Sequence, residues 1–145
     1  MSFIERVIHA LTEVHPLHPM LVHFPIALTG AAAFFILLAL WRKSKSLEQA
    51  AFANMVLATF GTIAAGLTGM MDNINTYEGS APNAGAKVIL AFTLLIVTAA
   101  TSIARWRNPN LFDTKAKSIY AAAYFISFAL ALVLAFLGGV ILYGF

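Results

Sequence analysis

Charged residues are scarce in this sequence, and cysteine is absent. Only 10% of the 145 residues are charged, against about 25% in a typical soluble domain, and 61% are hydrophobic. A chain so poor in charge cannot cover itself with a solvated surface, which excludes an ordinary soluble domain. The lack of cysteine excludes disulfides, thiolate metal sites and a cysteine nucleophile. Basic residues interleaved with aromatics are also missing, so we expect no nucleic-acid partner.

Long apolar runs take the place of the missing charge. Crossing a bilayer core of about 30 Å takes roughly 20 apolar helical residues. Four runs meet this length, and short polar links join them. Sequential helices with short links pack as antiparallel neighbours. The sequence therefore predicts an all-α, up-down bundle of four transmembrane helices in a single domain, 1–145. The predicted spans are 20–41, 50–71, 84–103 and 119–143.

The first fourteen residues, 1–14, have helical periodicity. Phe3, Val7, Leu11 and Val14 recur on one face, while charged and polar side chains occupy much of the other. This pattern predicts an amphipathic helix, which either lies on the membrane surface or docks on a partner subunit.

Lysine and arginine are distributed unevenly among the links. The links at 42–49 and 104–118 hold most of them, whereas the link between spans two and three has none before Lys87. The positive-inside rule therefore predicts that these two basic links are cytoplasmic and that both termini face the opposite side.

The second predicted span carries a row of small residues at four-residue spacing. Gly61, Ala65 and Gly69 form this row. Small side chains let helix backbones approach closely in lipid. We therefore expect this face to pack against a neighbouring helix.

The segment 15–27 is the most unusual part of the chain, with three histidines and three prolines. Pro19 is predicted to be the first helical residue, where a missing N–H costs nothing. Pro25 lies inside the apolar run and cannot donate to a carbonyl one turn earlier. We expect the helix to kink at Pro25 or to begin in earnest there.

Ionisable groups near a membrane usually have partners or a function. His15, His18 and His23 stand at the start of span one, and Asp72 at the end of span two, so we expect them at the same end of the bundle. The residues leave three interpretations open. They form a structural polar network; or His23, with His18 or His15, binds haem b or another tetrapyrrole; or the group handles ions, with His15, His18 and Asp72 binding a metal ion or His23 and Asp72 relaying protons.

The run from His15 to Ala27 resembles the signature of a bacterial family of small four-helix membrane proteins of unknown function. The stretch 66–72 and Arg105 also resemble that family, and the likeness covers nearly the whole chain. The resemblance implies a location in the bacterial inner membrane. It also implies an association with cytochromes and other membrane redox components. In that family the third helix often opens with a histidine, where this chain has Lys87, so one candidate second haem ligand is missing.

Three functions follow as hypotheses. The first is a non-catalytic subunit of a respiratory or photosynthetic complex, which contacts the lipid bilayer and other membrane subunits. The second is a tetrapyrrole-binding electron carrier that uses His23. The third is a metal-ion or proton-handling protein. No arrangement of residues supports catalysis, so we expect no enzyme activity.

Overall fold

The computed structural model describes residues 2–9 and 17–143. The described residues are helical almost throughout and contain no strand. Four helices are long and apolar enough to cross a membrane, and at most 28% of the most apolar stretch of each is buried inside the molecule. So much apolar surface needs an apolar environment. The predicted fold class, an all-α bundle of four transmembrane helices, is confirmed.

The helices follow one another in chain order with short connections. A single 3₁₀ turn, Leu111–Asp113, lies in the last link. The residues that the structure describes form six α-helices: α1 Phe3–His9, α2 Leu17–Leu21, α3 His23–Arg42, α4 Lys45–Tyr77, α5 Ala84–Arg107 and α6 Lys117–Tyr143.

The four long helices form a closed ring. Helix α3 packs against α4 and α6, and α5 packs against the same two helices from the other side. Connections this short make each helix antiparallel to the one before it, as in an up-down bundle. The short helix α2 packs mainly against α4.

The first span is interrupted between α2 and α3. Val22 lies in a turn between them, and its N–H still donates to the His18 carbonyl at 3.0 Å. Pro25 falls in the first turn of α3, where it cannot donate to the carbonyl of Leu21. The interruption is thus where the proline predicts it. Pro19 is the third residue of α2, because this helix begins at Leu17 and not at Pro19 as expected.

Helix α4 is longer than its predicted span. Its 33 residues extend about 50 Å at 1.5 Å per residue, which exceeds the thickness of a bilayer core. Ser44 caps its start by accepting a hydrogen bond from the Leu47 N–H at 3.4 Å. At its end, Glu78 and Gly79 adopt left-handed backbone conformations, and their N–H groups donate to the Asn73 carbonyl.

Helix α1 lies within the predicted amphipathic segment. Ser2 and Glu5 form a reciprocal capping box, with the Ser2 N–H 2.7 Å from Glu5 Oε2 and the Glu5 N–H 3.2 Å from Ser2 Oγ. None of its residues is buried, and Phe3 is 81% exposed. Leu11 and Val14, which complete the predicted apolar face, lie outside the described residues.

Buried side chains concentrate at one end of the bundle. We call the end that holds the α3–α4 and α5–α6 links the basic end, and the opposite end, which holds α2 and the α4–α5 link, the histidine end. A cluster of buried apolar residues lies in the basic half, around Ile36, Met55 and Tyr124. Towards the histidine end, no described residue is buried in α4 after Ala65, in α5 before Leu94 or in α6 from Leu132 to Val140.

Candidate functional site

His18 packs against α4 at the histidine end. Its Nδ1 lies 3.4 Å from Thr68 Oγ1, and its ring covers Gly69. A Cβ placed on Gly69 would lie 2.8 Å from His18 Cε1, which is closer than real contacts allow. Glycine at position 69 therefore makes room for the imidazole, and α2 and α4 meet through this contact.

Two charged groups approach His18 from other helices. Asp72 on α4 and Lys87 on α5 both lie within electrostatic range of the imidazole and of each other. Asp72 Oδ1 also accepts a hydrogen bond from Thr76 Oγ1 at 3.0 Å. His18, Asp72 and Lys87 thus form a polar cluster contributed by three helices, which we call the histidine-end cluster.

His23 is exposed on the outside of the bundle at the start of α3. Its Nδ1 lies 2.6 Å from the Pro19 carbonyl oxygen, one turn earlier. A carbonyl only accepts, so Nδ1 carries the proton and donates. In the neutral ring this leaves Nε2 with a lone pair, the arrangement that a metal-binding histidine uses. Ala27, one turn further on, is also exposed and adds little bulk beside the ring.

The residues predicted to bind a metal ion are only partly described. His15 lies outside the described residues, whereas His18 and Asp72 are neighbours in the histidine-end cluster. Within 2–9 and 17–143, no group of three histidine, cysteine, aspartate or glutamate side chains is arranged to hold a metal ion. A complete site would therefore need a further ligand.

Two of the predicted structural residues, Pro25 and Gly61, meet where α3 packs against α4. Gly61 faces Pro25, and a Cβ on Gly61 would lie 3.3 Å from both Pro25 Cδ and Pro25 N. Ala65 is buried one turn further along α4. Thr29 Oγ1 donates to the Pro25 carbonyl at 2.6 Å. Pro25 therefore fits against a glycine surface on one side of the interruption in span one.

A second polar site lies at the basic end and joins three helices. Glu48 on α4 is 2% exposed, and Arg105 on α5 donates to it twice, from Nε to Oε1 at 2.6 Å and from Nη2 to Oε2 at 2.9 Å. Tyr120 on α6 donates to Glu48 Oε1 at 2.7 Å and contacts the Tyr124 hydroxyl at 2.6 Å. Such a bidentate pair is strong and directional. We call this set, Glu48, Arg105, Tyr120 and Tyr124, the basic-end network.

The basic-end network could be predicted only in part from the sequence. The family resemblance draws attention to Arg105, whereas Glu48 falls in the predicted link 42–49, where a carboxylate is expected to be solvated. The sequence does carry one signal. Glu48 comes just before the second apolar run, and Arg105 comes just after the third, so both are expected at the same end of the bundle. Tyr120 and Tyr124 stand at four-residue spacing, which places them on one helix face. The pairing of these side chains across three helices can be recognised only from the three-dimensional structure.

The fold and its two polar sites define an integral membrane protein with four spans and very small extramembrane parts. The family model for predicted membrane proteins of the DUF2231 family matches residues 14–145. The chain belongs to this family. No curated protein and no solved structure matches it.

Proposed function

We propose that the protein is a non-catalytic membrane subunit of a larger electron-transfer complex, respiratory or photosynthetic, and that its histidine end binds the neighbouring subunit. The observation that carries the proposal is the unequal burial of the bundle. In the histidine half, α4, α5 and α6 leave long stretches without a buried residue, and the stretches in α5 and α6 are mostly apolar. A second membrane protein would supply the missing packing.

The small residues of the histidine half support this proposal. Nothing lies within 4 Å of a Cβ placed on Gly66, Gly85, Gly138 or Gly139. Glycine faces allow close approach of another helix in lipid, where van der Waals contact drives association. These four positions offer such faces outside the bundle's own contacts.

The electron-transfer part of the proposal rests on the exposed His23 and on the family resemblance. The described part of the protein has little outside the membrane that could act on a soluble substrate. Histidine with an outward lone pair is suited to contact a cofactor or a polar group of a partner. We further propose a bacterial inner-membrane location with the basic end in the cytoplasm, as the positive-inside rule favours.

Crosslinking in native membranes tests the docking. A photoreactive residue replaces Met71 or Ile89, which are exposed in the histidine half, or Leu37, which is exposed in the basic half. We expect crosslinks to one defined membrane protein from positions 71 and 89 and not from position 37. We also expect gentle detergent extraction to give a particle far larger than 15.6 kDa plus micelle. A monomer without crosslinks would contradict the proposal.

A second candidate function is tetrapyrrole binding, which the exposure of His23 and the hydrogen bond at its Nδ1 support. The Nδ1 contact with the Pro19 carbonyl leaves Nε2 as the only ligand atom of that ring. Absorption spectra of protein expressed with haem or chlorophyll precursors test this function. A Soret or chlorophyll band that the His23→Ala variant lacks supports it, and the absence of any band in the unmodified protein rejects it.

A further inference from the structure

The basic end carries an apolar groove on the outer surface of the bundle. It runs between α4 and α5 and has a volume of about 470 Å³. In a bilayer such a groove faces the acyl chains directly. The lining residues are Phe52, Val56, Thr59 and Phe60 on α4, and Ala99, Ser102, Ile103 and Trp106 on α5.

One polar atom in this groove lacks a partner. Ser102 Oγ is buried and makes no hydrogen bond within the described structure. Nearby hydroxyls behave differently: Thr59 Oγ1 donates to the Met55 carbonyl at 3.0 Å, and Thr98 Oγ1 to the Leu94 carbonyl at 2.9 Å. A buried hydroxyl without a partner is costly, so rotation of the Ser102 side chain towards an acceptor group of a ligand in the groove would be favoured.

One exposed basic residue, Arg107, directly follows Trp106, the last groove residue of α5. Arg105 is paired with Glu48, and Lys45 Nζ binds Asp113 Oδ2 at 2.7 Å. Arg107 is exposed and lies one helical turn beyond Ile103, which places the two on the same face of α5. Arg107 therefore lies just beyond the basic-end limit of the groove.

We propose that this groove binds an anionic phospholipid. Arg107 binds the phosphate, Ser102 donates to an ester carbonyl, and one acyl chain fills the groove down to Thr59 and Phe60. The order of the protein groups matches the order of the lipid groups. Ser102 lies five residues from Arg107, or about 7.5 Å along the helix, between the charged rim and the apolar floor. Trp106, 76% exposed, lies at the level expected for an interfacial aromatic residue.

Tryptophan fluorescence in nanodiscs tests this site directly. The Trp41→Phe variant leaves Trp106, in the groove, as the only tryptophan. Brominated phosphatidylglycerol and brominated phosphatidylcholine are introduced in parallel, and quenching of Trp106 reports which lipid lies there. We expect half-maximal quenching at an about threefold lower mole fraction of the anionic lipid.

Two matched variants distinguish a specific lipid-binding site from a general attraction of anionic lipid to the basic end. Arg107→Gln should remove the preference, whereas Arg42→Gln, on α3, should keep it. Ser102→Ala should weaken the quenching by phosphatidylglycerol with no change in fold. Equal quenching by the two lipids overturns the proposal. An equal loss in the Arg107→Gln and Arg42→Gln variants also overturns it, since that pattern reports only the overall charge of the basic end.

Discussion

The two ends of this bundle differ in how their polar side chains are paired. At the basic end, Glu48, Arg105 and Tyr120 pair with one another across three helices, inside a packed core. At the histidine end, His18, Asp72 and Lys87 lie near one another without strong hydrogen bonds between them, and His23 points outward. The difference shows that the polar groups of the basic end join three helices through hydrogen bonds, whereas those of the histidine end do so less.

The largest effect should come from breaking the basic-end network. Glu48→Ala leaves the Arg105 guanidinium buried without its carboxylate and removes the acceptor of Tyr120. Breaking a buried ion pair from one side costs about 3–5 kcal/mol. We expect a loss of this size in the free energy of unfolding, measured by denaturant titration in detergent.

The matched control is the exposed ion pair at the same end. Asp113→Asn removes the partner of Lys45, whose side chain is 69% exposed. Surface pairs contribute about 0–1 kcal/mol. Similar losses in the Glu48→Ala and Asp113→Asn variants would show that the buried network does not hold the bundle together.

Two glycine substitutions in α4 should have an intermediate effect on stability, and they test where close packing along this helix ends. Gly61→Ala pushes a methyl group against Pro25, whereas Gly66→Ala meets nothing within 4 Å. Overpacking costs about 1–3 kcal/mol. Alanine at an open helical position gains up to about 1 kcal/mol over glycine. We expect thermal unfolding to shift down for Gly61→Ala and not for Gly66→Ala, and a reversed order would contradict the packing described.

The smallest effect on stability should come from His23. Its side chain is exposed, so His23→Ala should change the free energy of unfolding by no more than about 0.5 kcal/mol. His18→Ala loses the contact with Thr68 and uncovers Gly69, and should cost about 1 kcal/mol. Thermal unfolding of the two variants compares them. If His23→Ala were the more damaging, His23 would be a structural residue and not a contact group.

Composition and spacing predict the fold of this protein well, because apolar runs of membrane length leave few alternatives. The interruption of span one at Val22, within one turn of Pro25, also follows from a local property, the missing N–H of the proline. Glu48 shows where such reasoning stops. Its burial depends on Arg105, 57 positions away, and on Tyr120, 72 positions away. The sequence predicts that His18 and Asp72 lie at one end of the bundle. It does not predict that His18 packs on Gly69, because this contact depends on how α2 meets α4.

Distances between paired spin labels test the contrast between the two ends most directly. The chain has no cysteine, so labels can be attached at two introduced cysteines without removing others. One pair, at Ser46 and Ser118, spans α4 and α6 at the basic end; a second, at Met71 and Phe136, spans the same helices in the histidine half. All four positions are exposed. For purified protein in nanodiscs, we predict a narrow distance distribution for the first pair and one at least twice as broad for the second. Equal widths for the two pairs would contradict the account.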